Sequence, residues 1–404
     1  MVLGFQMKAT IKTYQSGSGD CIFFLLRDGE RKYNIMIDCG EYTPTIKVFV
    51  EETLAKQIDL LIVTHIDEDH ILGVEQMMTD THDLNIGKII FNSYERLQGQ
   101  PETPLTDIQK KRIASIQCEL SCVFRDALEN QVSATQAIKG LSKTILERQA
   151  LRDKWERGYT ALDARKEIDL KEWGTIKILA PTMKELRGLD EKFRSVLFSE
   201  LFVEDDNVLL SDCESLYEML IRYAELHDKE PAEDLPTSSE TTIEERLKKA
   251  AEENPRESSI TPANKASLAF VWEKNGKKVL ILGDAKPSIV VKGLLNHYPQ
   301  GPYPMLFEAI KVAHHGSHYN TTEALMNMID SEHYFLTGGE EGVRPSEAAV
   351  GRILLASLKG NVTKRTLHVN YKTTLTEQLS EEYDLQEKYH FEVAFDQNQH
   401  EFTL

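Results

Sequence analysis

Short apolar bursts alternate with turn residues along the N-terminal part of the chain. Residues 9–14 and 21–26 have strand character and are separated by Ser16-Gly17-Ser18-Gly19, a glycine turn between two strands. Residues 33–38 predict a third strand, closed by Gly40, and residues 45–57, just after Pro44, carry helical periodicity. Leu60-Leu61-Ile62-Val63-Thr64 is a β-rich run that delivers the chain to His65. A helix is expected over 74–78 and a strand over 88–91. From 104 to 166 the pattern turns helical and highly charged, with no strand signal, and reads as a helical insertion. Strand character returns at 175–179, and a second helical stretch runs over 184–228. Residues 229–263, rich in Glu, Ser, Thr and Pro, predict a loosely packed loop carrying one helix at 243–252. Asn275-Gly276, between β-rich runs at 267–273 and 279–282, is the strongest hairpin signal in the chain. Strands at 307–313, 334–337 and 391–395 follow, and no short-period repeat is present.

This pattern divides the chain into an N-terminal half of an α/β unit (1–103), a helical insertion (104–166), a return strand (167–183), a helical and acidic variable insertion (184–263) and a C-terminal half with its tail (264–404). The length of 404 residues suits one large α/β domain with insertions or two domains. No apolar run is long enough for a membrane span, and residues 1–24 lack the basic-then-apolar pattern of a signal peptide. Five scattered cysteines make no disulfide framework; with the missing signal peptide they predict a reducing, cytoplasmic setting. Cys118 and Cys122 could share a helix face, but no further ligands accompany them, so they read as a structural pair. The net charge of −18 makes the chain a poor indiscriminate nucleic-acid binder, because such binding relies on Lys and Arg releasing counterions. It leaves room for a locally positive, metal-centred cleft.

Chemistry concentrates in His65-Ile66-Asp67-Glu68-Asp69-His70, where two imidazoles and two carboxylates follow a strand end before Gly73. Neutral imidazole and ionised carboxylate are the ligand types of hydrolytic Zn²⁺ and Mn²⁺ sites, so one or two divalent ions are expected here. A solvated acidic turn would explain any one of these residues but not their spacing. Two further strand ends offer donors: Leu282-Gly283-Asp284, and Lys311-Val312-Ala313 followed by His314-His315-Gly316-Ser317.

With these residues the chain resembles the metallo-β-lactamase superfamily, whose signature is His-x-His-x-Asp-His. It is most similar to the branch typified by the hydrolase domain of the competence DNA-uptake protein ComEC, where His-x-Asp-x-Asp-His is common. Gly17 to Asp20, Asp38-Cys39-Gly40, Asn264 to Leu268, Leu282 to Asp284 and His314 to Ser317 match that branch in order, together with the 65–70 motif. The resemblance covers 17–73, 174–182 and 264–345. It implies an αββα sandwich with a dinuclear site at one edge. His65 and Asp67 would hold the first metal, Asp69 and His70 the second; Asp284 would bridge, and one of His314 and His315 would complete the second site. Asp284 and His315 join Asp69 as the expected catalytic set. Asp20, Asn264, Ser317 and Arg344 would meet the substrate, and Asp38 would brace the ligand loop by hydrogen bonding.

The sequence departs from the family at three places. Asp67 replaces a histidine, which enriches the first site in oxygen and moves its preference toward Mn²⁺. The third-motif histidine has no counterpart: His82 lies too close after the motif, and His227 falls in the variable insertion. Arg344-Pro345 stands where relatives carry His-Pro. The expected activity is a phosphodiesterase, a nuclease attacking nucleic acid through a metal-activated hydroxide. Two alternatives stay open: a small ester, lactone or thioester hydrolase, and a partner-controlled component of a multi-protein system, such as bacterial defence, that docks through the helical insertions.

Overall fold

The computed structural model describes residues 6–93, 111, 115, 140–156, 160–201, 218, 241–253, 255–339, 344–395 and 398–404. Strands β1 (Lys8–Thr13), β2 (Ile22–Asp28), β3 (Arg31–Ile37), β4 (Leu60–Val63) and β5 (Ile89–Phe91) lie in that order in the first sheet. The second sheet runs through β6 (Glu167–Asp169), β7 (Thr175–Ala180), β8 (Ala269–Lys274), β9 (Lys277–Ile281), β10 (Ala309–Lys311), β11 (His333–Leu336), β12 (Arg365–Val369) and β13 (Phe391–Ala394). A last strand, β14 (Gln399–Thr403), returns to the first sheet and pairs antiparallel with β1. Each sheet starts as an antiparallel meander and ends as parallel strands: β3, β4 and β5 in the first, β9 to β13 in the second.

Alternation along the strands builds the layers. Leu60 and Ile62 of β4 face the second sheet and meet Phe270, Trp272, Val279 and Ile281, while Leu61 and Val63 face outward. A strand buried on both faces needs an unbroken apolar run, which is why Leu-Leu-Ile-Val shows no alternation in the sequence. Outside the first sheet lie α1 (Pro44–Val48) and α2 (Glu68–Asp80), with α3 (Leu141–Glu147) packed against α2 through Leu141 and Ile145. Outside the second sheet, α7 (Pro287–His297), α8 (Glu347–Leu354) and α9 (Thr374–Glu381) cover Leu280, Ile310 and Leu367. The result is the expected αββα sandwich.

Between these come α4 (Met183–Leu201), α5 (Ile243–Glu252) and the short α6 (Pro262–Lys265). The stretch after residue 240 is better packed than its composition suggests. A reciprocal cap joins Thr242 and Glu245, Leu247 is fully buried, and Arg246 pairs with Glu347 of α8 at 2.5 Å. The expected helix is present, but anchored by its apolar face. Most of the first insertion, and most of the stretch between α4 and residue 241, lie outside the described residues, as do Cys118, Cys122 and His227. Cys21 and Cys39 are buried free thiols. Among the described residues no helix is long and apolar enough to cross a membrane.

Candidate metal centre

The parallel strands of both sheets end at one edge of the sandwich, and the site is assembled from the loops and helix starts beyond those ends. After β3, Asp38 turns the backbone left-handed at φ 56° and is fully buried. Its carboxylate accepts the Thr64 backbone N–H and the Thr64 hydroxyl, both at 2.7 Å, and His70 Nδ1–H at 2.8 Å. One side chain therefore ties β3 to the end of β4 and to the first turn of α2. That helix begins at Glu68, earlier than its hydrophobic periodicity suggests, so Asp69 and His70 are rigidly mounted on its first turn. Asp67 occupies the N-cap position but makes no capping hydrogen bond. Such caps are usually worth about 1 kcal/mol. Here Oδ2 lies 3.3 Å from His65 Nε2 instead, and Oδ1 is buried with no hydrogen-bond partner.

The second sheet contributes Asp284 after β9 and the paired histidines after β10. His314 and His315 take consecutive left-handed conformations at φ 49° and 54°. Such a conformation costs non-glycine residues about 1–2 kcal/mol each. It sends the two rings to different places: His314 Nε2 lies 3.5 Å from Asp284 Oδ2, and His315 Nε2 lies 3.0 Å from Asp69 Oδ2. Gly19 lets the N-terminal glycine turn press against the same loop, since a Cβ there would fall 1.7 Å from the Asp69 carbonyl oxygen.

All four imidazoles have Nδ1 engaged by the fold. His70 donates through Nδ1 to Asp38, His314 to Asn320 Oδ1 at 3.0 Å, and His315 to the Thr337 carbonyl at 2.7 Å. Thr64 gives its hydroxyl proton to Asp38, so its oxygen accepts from His65 Nδ1 at 3.0 Å. His65 and His70 are left with a bare Nε2 turned inward, while His315 Nε2 bonds Asp69 Oδ2 and His314 Nε2 lies beside Asn264. His65 and His70 Nε2 stand 3.8 and 3.5 Å from Asp284 Oδ2, and His70 Nε2 is 3.6 Å from Asp69 Oδ2. The donors fall into two adjoining trios, His65–His70–Asp284 and Asp69–His70–His315, with every donor atom within 4.8 Å of the others in its trio.

The electrostatics reflect this crowding. Burial favours the neutral form of His70, yet Asp69, Asp284 and Asp38 hold its pKa well above the ordinary histidine value. Burial works the same way on His315, whose pKa Asp20 and Asp69 nevertheless push up to about 9. Burial would raise Asp69 and Asp284, but the surrounding imidazoles hold both well below the usual carboxylate range. Deprotonated carboxylates thus face Nε2 atoms, and His65 Nε2, His70 Nε2, Asp67 Oδ1 and Asp284 Oδ1 are buried without hydrogen-bond partners. Buried polar atoms this close, with no partner among themselves, are what a divalent cation satisfies. The nitrogen and oxygen donor set fits Zn²⁺ or Mn²⁺.

The remaining expected residues are spread around this core. Asn264 stands beside it, Nδ2 being 3.4 Å from His314 Nε2. Asp20, expected on the cleft wall, lies behind the site: it is fully buried, ion-paired with Lys311, bonded to the Thr337 hydroxyl and 3.2 Å from His315 Nδ1. Ser317 is buried and its hydroxyl accepts the Tyr319 N–H at 3.3 Å, which spends it on its own turn. Arg344 precedes Pro345, whose ring packs against Gly316, so its backbone runs beside the histidine loop. His82 is exposed at the far end of α2. Four residues not singled out from the sequence take part: Thr64, Asn320, Thr337 and Lys311. Only Lys311 leaves a signal, as a lysine inside the apolar run 309–313.

Comparison with known proteins gives one family match. Residues 18–83 match the metallo-beta-lactamase superfamily. That span holds Asp20, Asp38 and the whole 65–70 motif, and it supports the superfamily for the part of the chain that carries most of the donors. No curated protein sequence matches. Among solved structures, a CmlA β-hydroxylase variant overlaps 98% of this chain and 54% of its own, at 10% identity and a TM-score of 0.36. The metallo-beta-lactamase fold protein YhfI from Bacillus subtilis overlaps 98% and 99%, at 8% identity and a TM-score of 0.33. The chain spans about half the length of the first of these, at 54%. Overlaps this loose carry no argument, and support for the superfamily comes from the match over residues 18–83.

Proposed function

We propose that the protein is a metal-dependent phosphodiesterase, a nuclease acting on nucleic acid. The observation that carries this reading is the convergence of bare imidazole nitrogens and ionised carboxylates from two sheets at one edge. His65 and Asp67 would hold one ion, Asp69, His70 and His315 its neighbour, with Asp284 between them. A divalent ion there supplies Lewis acidity, making a water nucleophilic near neutral pH and neutralising charge on a phosphoryl oxygen. Asp69 is the most exposed carboxylate of the set, its side chain 27% accessible, which supports giving it the task of orienting the attacking water and taking its proton. Replacement of the superfamily's second histidine by Asp67 favours oxygen-seeking metals such as Mn²⁺, and these pair naturally with phosphate substrates. The resemblance to the ComEC-type branch points to the same substrate class.

The test is a cleavage panel of single- and double-stranded DNA and RNA with Mn²⁺ or Zn²⁺, with and without chelator, for the parent and Asp69→Ala. Metal-dependent cleavage that the chelator silences and Asp69→Ala lacks, with an unchanged melting curve, is the expected result. Turnover of small esters or lactones alone would replace the nuclease reading with the other hydrolase reading. Undiminished cleavage by Asp69→Ala would overturn the role given to that residue.

A further inference from the structure

Lys311 ends β10 fully buried, its ammonium ion-paired with Asp20, 3.9 Å from Asp284 Oδ1 and 3.4 Å from the Gly283 carbonyl. A buried lysine beside a carboxylate that ought to bridge two cations is an anomaly, because an ammonium in contact with Asp284 would compete for it. Its geometry shows why it does not. Asp20 is itself tied down: its backbone N–H donates to the Asp69 carbonyl at 3.1 Å, and its carboxylate accepts from Thr337. Asp20 thus draws Lys311 to the side of Asp284 away from the imidazoles. The charges tell the same story. Asp20, Asp38, Asp67, Asp69 and Asp284 bring five negative charges, and Lys311 brings one positive. Once the histidines give up their protons to bind metal, this leaves four negative charges, the number that two divalent ions neutralise.

We infer that Asp20 and Lys311 form a positioning pair: Asp20 holds the ammonium off Asp284 so that this carboxylate stays open to metal, and Lys311 neutralises Asp20 without taking a metal's place. The inference rests on the metal-dependent reading of the site above, and it gives Asp20 a task behind the metal centre.

A double-variant comparison tests it. In Asp20→Asn the amide oxygen can still serve Thr337 and His315, but the freed ammonium has Asp284 as its nearest carboxylate. Adding Lys311→Met removes that competitor and restores the original charge balance. Mn²⁺ and Zn²⁺ are titrated into full-length, chelator-stripped protein against a fluorescent chelator, with melting curves recorded alongside. Asp20→Asn should bind metal roughly tenfold or more weakly, and the double variant should return to within about threefold of the parent. If Asp20→Asn binds like the parent, or the double variant binds no better than the single, the pair has no such role. A purely structural pair predicts that affinity only follows stability, so weaker binding by an Asp20→Asn protein that melts like the parent excludes it, a lone buried ammonium being otherwise a cost to the fold itself. Should Asp20→Asn fail to fold, the double variant against the parent still decides: near-parental affinity supports the inference, and a tenfold loss removes it. A parent that binds neither ion would instead bring down the metal reading itself.

Discussion

The Asp38 carboxylate offers a sharp perturbation, because Asp38→Asn changes the identity of a hydrogen bond while keeping its shape. In the parent, His70 Nδ1 donates to Asp38 Oδ2 at 2.8 Å and leaves Nε2 bare toward Asp284 and Asp69. In the variant one carboxamide position can still accept the Thr64 N–H, now 2.7 Å from Oδ1. The other becomes an NH₂ facing Thr64 Oγ1 and His70 Nδ1, and two donors cannot share one bond. The Thr64 hydroxyl can rotate to accept, but His70 must move its proton from Nδ1 to Nε2, the atom aimed at the metal position. The fold should lose little, since hydrogen bonds are exchanged, with a net change of about 1–2 kcal/mol. Metal binding should fall by about 10–100-fold, the usual effect of removing a partner that fixes a histidine ligand. The assay pairs a metal titration with ¹⁵N-histidine NMR of the stripped protein at alkaline pH, where His70 is neutral and its tautomer is read directly. Parental affinity in Asp38→Asn, or an unchanged His70 tautomer with weakened binding, would refute the reasoning.

Three other outcomes are expected. Gly19→Ala should disrupt the metal loop, because its methyl would lie 1.7 Å from the Asp69 carbonyl oxygen, and metal content after purification is the readout. Metal-free protein should lose stability as pH rises: His315, at about 9 against an ordinary 6.5, contributes fully below 6.5 and not above 9, while depressed Asp69 and Asp284 contribute only above their ordinary 3.8. Melting curves across pH with and without chelator should therefore diverge most on the alkaline side, and parallel curves would contradict this. At the far end of the strands, His400 of β14 stacks on His333 of β11 at 3.6 Å, and burial lowers both to about 4. Both must stay neutral in the fold, so the hydrogen-exchange protection factors in β14, taken against intrinsic rates at each pH, should fall as pH drops below 6.5, and pH-independent protection there would count against the stack as an anchor.

Much of this site is written locally. The 65–70 motif, Asp284 and the histidine pair each come directly after an apolar strand, and strand ends are where a sandwich of parallel ribbons brings distant residues together. The rest depends on contacts made across long separations. β12 is hidden in the sequence because Arg365 and His368 interrupt its apolar pattern, and the fold alone reveals that Arg365 is buried against Asp330 at 2.7 Å. β14 is a polar edge strand whose partner, β1, lies at the other end of the chain. Periodicity places the start of α2 too late because its first turn is polar for the sake of the site, and Asp67 declines the cap that would mark the boundary. Asp20 reads as a cleft residue for want of its partner. Nothing in Gly17 to Asp20 announces a lysine nearly three hundred residues away, although Lys311 in an apolar run is a visible oddity.

The donors come from both halves of the polypeptide, His65 to His70 hanging from one sheet and Asp284 to His315 from the other. Any ion they share is therefore a rivet across the seam of the sandwich. At a hundredfold excess over its dissociation constant, such a rivet adds about 2.7 kcal/mol against unfolding. Chelation should loosen the seam as a whole, letting proteases cut between the layers well before either sheet comes apart.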